Sequence, residues 1–189
     1  MMKYLLMGTM LSSMLALNGC GGDAEGATGF AVSSNSIVNG GVIAEKYSGD
    51  GGNVSPHVQW KNAPEGTKSF VLIMDDPDAK PVVGFTWVHW NVFLKDDAVT
   101  ELDEGASGTA NMPAGAIEGT TSGGAFQYIG PNPPKDQTHT YHICVYAMST
   151  AGIPVGVTVN SSFTRTAFKA KFDADILKSA CMTGKYTGK

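Results

Sequence analysis

Charge is scarce in this 189-residue chain. Asp, Glu, Lys and Arg together make 16% of it and leave a formal net charge of −4, where an average soluble domain carries about a quarter charged residues. No Lys/Arg cluster is present that would form a nucleic-acid footprint, so nucleic acid is not an expected partner. Cysteine is equally sparse: Cys20, Cys144 and Cys181 are all there is. No CxxC, HxH or HExxH occurs, which removes the usual zinc patterns and leaves no expected metal. GxSxG, GxGxxG and the P-loop are also missing, so neither a nucleophile elbow nor a nucleotide-type cofactor is expected. Long apolar runs are lacking as well; the N-terminal one, Tyr4 to Leu17, is too short and too interrupted to span a bilayer.

That N-terminal run still has a reading. In "MMKYLLMGTMLSSMLALNGC" a basic Lys3 precedes the apolar stretch, as in a secretory signal. It closes on "LNGC", Leu17 to Cys20, which resembles the bacterial lipobox, with Asn18 where a small residue is usual. Residues 1–19 are then a lipoprotein signal peptide and Cys20 the lipidated N-terminus; the alternative is an ordinary signal peptide with a chance cysteine. "GGDAEGATG" has nothing to bury and makes residues 20–29 a flexible tether. A diacylated cysteine anchors stably, at about 0.8 kcal/mol per buried CH₂. The expectation is a protein of the bacterial cell envelope, lipid-anchored and facing periplasm or exterior.

Residues 30–189 show no repeat and no second composition regime, and read as one domain. Twenty-four glycines and nine prolines favour short strands joined by turns. "FAVSSNSIV", the patch around Val58 and Trp60, "SFVLIMD", "GFTWVHWNVFL" and "THTYHICVYAM" are the strand candidates. Residues 103–125 read as a long loop. In "SSFTRTAFKAKFDADILKSA" Phe168, Phe172 and Ile176 recur every four residues with Leu177 beside them, and Ser161 or Ser162 can cap. That spacing predicts a helix, followed by a last short strand at "CMTGKY". Cys144 and Cys181 can pair in an oxidising compartment, or Cys144 can serve as a small buried apolar residue of its strand.

Three features bear on chemistry. The apolar run Phe70–Met74 ends in Asp75, Asp76 and Asp78 around Pro77. In extended backbone Asp76 and Asp78 leave on one side, and Pro77 keeps Asp76 out of the helical region. They form either a solvated turn or a delivered pair. In "WVHWNV" Trp87 and His89 share a strand face, while Val88 and Trp90 point the other way. "YIGPNPPKDQTHTY" supplies a proline-rigid loop with Gly130 and Pro133, then His139 and Tyr141 on one strand face and His142 on the other. No nucleophile is activated.

"DPDA", the "WVHW" strand and "GPNPPKDQTHTY", in that order, resemble the phosphatidylethanolamine-binding protein family. "NVSPHVQW" and "PEGTKSF" are most similar to its bacterial, Raf-kinase-inhibitor-like branch of the YbhB/YbcL type. The resemblance covers Phe30 to the C-terminus. It implies a β-rich fold: a large antiparallel sheet with a smaller sheet on one side and one or two helices on the other. It also implies a small pocket for an anion such as phosphate or a phospholipid headgroup, built from Asp76, Asp78, Trp87, His89, Gly130, Pro133, His139 and Tyr141. Lys80 stands before Pro81 where the family reads "DPDAP", and Asn132 stands where glycine is common. The carboxylates are expected to orient the imidazoles and keep them cationic. Binding rather than catalysis is the function this implies. The alternatives are an interaction module that inhibits a protease or kinase, and a His/Asp hydrolase.

Overall fold

A computed structural model describes residues 29–152 and 157–189. The signal peptide, Cys20 and all of the tether but Gly29 lie outside the described residues. Among those described, no helix is long and apolar enough to cross a membrane.

The chain runs β1 (Ala31–Ser33), β2 (Gly41–Val42), β3 (Val58–Lys61), β4 (Ser69–Asp76), α1 (Lys80–Val83), β5 (Trp87–Leu94), β6 (Glu101–Leu102), β7 (Ile117–Glu118), β8 (Thr138–Met148), α2 (Arg165–Phe172) and β9 (Ile176–Thr187). Six strands form one sheet in the order β2-β9-β8-β4-β5-β7, and β1-β3-β6 form a second. Among the described strand pairings β2–β9 is parallel and the others antiparallel, and an isolated parallel bridge joins Lys135 to Gly188.

β4 sits at the centre of the large sheet because it is apolar on both faces and every one of its residues is buried. Alternation sends Phe70, Leu72 and Met74 to one face, where they meet Val58, Trp60 and Leu102 of the small sheet. Val71 and Ile73 point the other way, onto Phe163, Phe168 and Phe172 beside and along α2. The result is the expected layering, small sheet on one side and helix on the other.

Two expectations at the C-terminal end are corrected. The helix stops at Phe172, is capped by Thr164, whose hydroxyl accepts from the Ala167 N–H at 3.2 Å, and runs into a 3-10 turn over Asp173–Asp175. Ile176 and Leu177 open β9, twelve residues long instead of a short strand at "CMTGKY". The ladder with β8, running from Thr138–Thr187 to Met148–Ile176, satisfies backbone groups that a longer helix would have paired internally. Within that ladder Cys144 faces Cys181 directly at a Cα separation of 4.1 Å, and the two form a disulfide.

Candidate functional site

The three acids that end β4 part company. Asp75 follows the alternation onto the helix face, where it is buried and paired with Arg165: Nε donates at 2.5 Å and the Arg165 backbone N–H at 2.8 Å. Asp76 turns to the small-sheet face. Its backbone is extended, as Pro77 requires, but Pro77–Ala79 winds into a 3-10 turn instead of staying extended. Asp76 Oδ1 stabilises that turn by accepting from the N–H groups of Asp78 at 2.8 Å and Ala79 at 3.2 Å. Asp78 is thereby rotated away, and its carboxylate accepts from the Thr140 N–H at 2.8 Å, tying the turn to β8. Lys80 and Pro81 continue into α1, and no cis peptide occurs among the described residues.

His89 arrives by an irregularity. Met74 pairs with Trp90 and Asp75 with Val88, so His89 has no cross-strand partner on β4 and the register shifts there. This is a bulge, which re-aims side chains. It puts Trp87 and His89 on the face of Asp76, but Trp90 joins the same core, contrary to strict alternation. His89 is then clamped twice to Ile129. Its carbonyl accepts the Ile129 N–H at 3.0 Å, and its Nδ1 lies 2.7 Å from the Ile129 carbonyl.

The proline loop is held from below by the segment that precedes β3. Tyr128 Oη donates to the Tyr47 carbonyl at 2.5 Å, the Gly130 N–H to Asn53 Oδ1 at 2.6 Å, and the Gly49 N–H to the Pro131 carbonyl at 2.7 Å. A Cβ on Gly130 would lie 2.4 Å from the Tyr47 carbonyl oxygen, so only glycine lets the two segments close up. The Gly130 N–H is therefore spent on Asn53 and is no anion donor. Nothing in the spacing of "GDGGN" hinted at this role for Asn53.

Between these parts lies a hollow of about 580 Å³, a size that suits a small ligand. Of the eight residues expected there, Asp76, Trp87, His89, Gly130, Pro133, His139 and Tyr141 line it; Asp78 does not. Two cations the motifs did not single out, Lys135 and Lys189, line it as well. Lys135 follows the prolines directly and was legible. Lys189 reaches the hollow only because β9 pairs along β8, and it is held by Glu45. Val82 and Val83 of α1 are half exposed at the rim.

The electrostatics are uneven. Asp76 Oδ2 lies 2.6 Å from His139 Nδ1; with both carboxylate oxygens accepting, the imidazole N–H points at the acid. Burial raises the Asp76 pKa above its ordinary 3.8, against the pull of His139. His89 goes the other way from the expectation of a cation. Burial pushes it down to about 4, against the Ile129 and Gly130 carbonyls, because the buried site disfavours the charged ring. Tyr141 is fully buried, its phenol is pushed up by burial and then by Asp76, and its hydroxyl has no partner among the described residues. Among them no cluster of His, Cys, Asp and Glu could hold a metal ion.

The sequence profile of the phosphatidylethanolamine-binding protein family matches residues 33–187, nearly the whole described domain. The chain belongs to this family. Within it the chain is of the YbhB/YbcL type. It is 39% identical to YbcL of Escherichia coli over 137 residues, 68% of this chain and 74% of YbcL. The crystal structure of YbcL, described as a new member of the mammalian PEBP family, superposes with a TM-score of 0.74 at 32% identity, covering 85% of this chain and 99% of that one. A relative from Aquifex aeolicus is 39% identical over 158 residues, 82% of this chain and 86% of its own. A Mycobacterium tuberculosis protein named as a lipoprotein, LppC, is 32% identical over 174 residues, 78% of this chain and 81% of LppC.

Proposed function

We propose that this family member is a lipid-anchored envelope protein whose hollow binds a small anion, such as a phosphate or a phospholipid headgroup. The observation that carries the reading is the Tyr141 hydroxyl, buried without a partner among the described residues, in a hollow that Lys135, Lys189 and His139 also line. A buried hydroxyl without a partner costs free energy that a ligand oxygen would recover. The Tyr141 O–H and the two ammonium groups supply donors, and Asp76 holds the His139 ring in place through Nδ1. Asp78 acts one step back, fixing the turn that carries Asp76.

The anchor rests on the "LNGC" motif, on the lipoprotein name of LppC, and on the Cys144–Cys181 bond, which suits an oxidising compartment.

Calorimetric titration with inorganic phosphate and with O-phosphoethanolamine tests the site. The native protein is expected to bind at least one of them. Tyr141→Phe should weaken that binding about ten- to a hundredfold, the worth of one hydrogen bond to a charged oxygen. Absence of heat with both ligands, in protein that melts cooperatively, overturns the reading.

A further inference from the structure

On the face of the large sheet that carries α2, the helix packs over Val71 and Ile73 of β4 and Tyr146 of β8 but leaves Ser179 and Cys181 of β9 exposed. A groove of about 560 Å³ runs between α2 and β9. The Cys144–Cys181 disulfide and Ser179 line it from the sheet, and Arg165, Lys169 and Asp173, each four residues from the next, line it from one side of the helix. The two sulfurs are unequally placed. Cys144 is 0% exposed and belongs to the core beneath α2, whereas Cys181 is open to solvent. At Cys181, β9 is also the border of the sheet, because among the described residues β2 pairs with it only at Gly184 and Lys185. The ladder with β8 continues on both sides of the pair, from Thr138–Thr187 to Ala147–Lys178, so the backbone keeps the two sulfurs opposed with the bond open or closed. Arg165 is spent on Asp75, while the Lys169 ammonium and the Asp173 carboxylate form no ion pair among the described residues.

We propose that Cys181 is a site of reversible thiolation by a low-molecular-weight thiol. The thiolate of that molecule enters the groove and attacks Cys181 Sγ, the sulfur that solvent reaches. A new S–S bond forms to Cys181, the Cys144–Cys181 bond breaks, and its electron pair leaves on Cys144 Sγ, which takes a proton from water. One disulfide is exchanged for another, so no oxidant is consumed. Attack at Cys144 is closed off by the packing of α2. Burial disfavours the thiolate of Cys144 and slows its return attack, so the mixed disulfide persists. When the return attack comes, it expels the small thiol and restores the bond, because the ladder has kept Cys144 opposite Cys181. Lys169 draws the incoming thiolate into the groove and Asp173 opposes it.

The test incubates the native protein with glutathione at pH 8 without denaturant, quenches with acid and maps the adducts by mass spectrometry. A single glutathione is expected on Cys181, with Cys144 recovered as a free thiol, the thermal melt still cooperative, and the original bond restored when glutathione is removed. Lys169→Gln should slow adduct formation about two- to fivefold and Asp173→Asn should speed it by a similar factor, the worth of one exposed charge beside an anionic nucleophile. Exchange that passes through global unfolding would instead be indifferent to both charges and would follow the unfolding rate measured in urea. That result overturns the inference, as does an adduct on Cys144 or no adduct on folded protein. Should either variant melt early, the position of the adduct on the native protein and its rate against that of unfolding still decide.

Discussion

Three aspartates within four positions serve three different partners: Asp75 takes Arg165, Asp76 takes His139, and Asp78 takes a backbone N–H. The strand ends in two buried charges, Asp75 and Asp76, because each carboxylate is satisfied, which is the condition for burying it at all, while Asp78 is exposed. What the residue pattern could not reveal is where Pro77–Ala79 winds up, since Asp and Pro favour extended and turn geometry alike. Nor could it reveal the state of His89, because desolvation depends on neighbours that arrive from β8 and the proline loop. That state has a consequence for stability. The unfolded ring titrates near 6.5 and the folded one near 4, so below pH 6.5 the unfolded chain binds more protons. Stability therefore falls as pH drops through this window, by about 3 kcal/mol if the whole shift is expressed. His142, also lowered by burial, acts in the same direction; Asp76, raised, acts oppositely in a window that starts at 3.8. Urea unfolding at pH 7.5 and pH 4 should show His89→Asn losing about 3 kcal/mol less than the native protein between the two. Parallel pH profiles for the two proteins contradict a neutral, buried His89.

Among the elements, α2 shows how far periodicity reaches. Eight residues are too few to hold a helix in water, so tertiary contact does the work. Phe168 packs on Tyr146 at 4.9 Å and on Phe163 and Phe172 at 5.7 and 4.8 Å between ring centroids. The four-residue spacing found these positions correctly. It then carried on into Ile176, where the same spacing is a coincidence: Asp173–Asp175 turns the chain and the Asp175 carbonyl accepts from the Ser149 N–H at 2.9 Å. Phe168→Ala should cost about 3–5 kcal/mol in denaturant unfolding. Phosphate affinity should not change, because Phe168 and the hollow lie on opposite faces of the large sheet. A loss of affinity comparable to that of Tyr141→Phe would show the two faces to be coupled.

At the scale of the whole molecule, the proposed binding site and the proposed anchor fall in different parts of the chain. The domain presents its hollow from the small-sheet face, and the anchor proposed for it is a single lipidated residue joined by the tether. Full-length protein expressed in a bacterial host should fractionate with membranes and be extracted by detergent; Cys20→Ser should move it to the soluble envelope fraction. Membrane association that survives that change excludes the lipid anchor. By itself the sequence pattern determined a β-rich domain with a helix packed against a sheet, and the family resemblance implied the smaller sheet on the other face. The three ordered motifs carried the family resemblance, and it was the resemblance that implied which residues to look for at the site. Only the tertiary structure decided that Asp78 turns away, that a bulge swings His89 in, that Asn53 uses up the loop's N–H and that Lys189 closes the rim. Those outcomes depend on pairing between segments far apart in the chain, and pairing energy is absent from any local pattern.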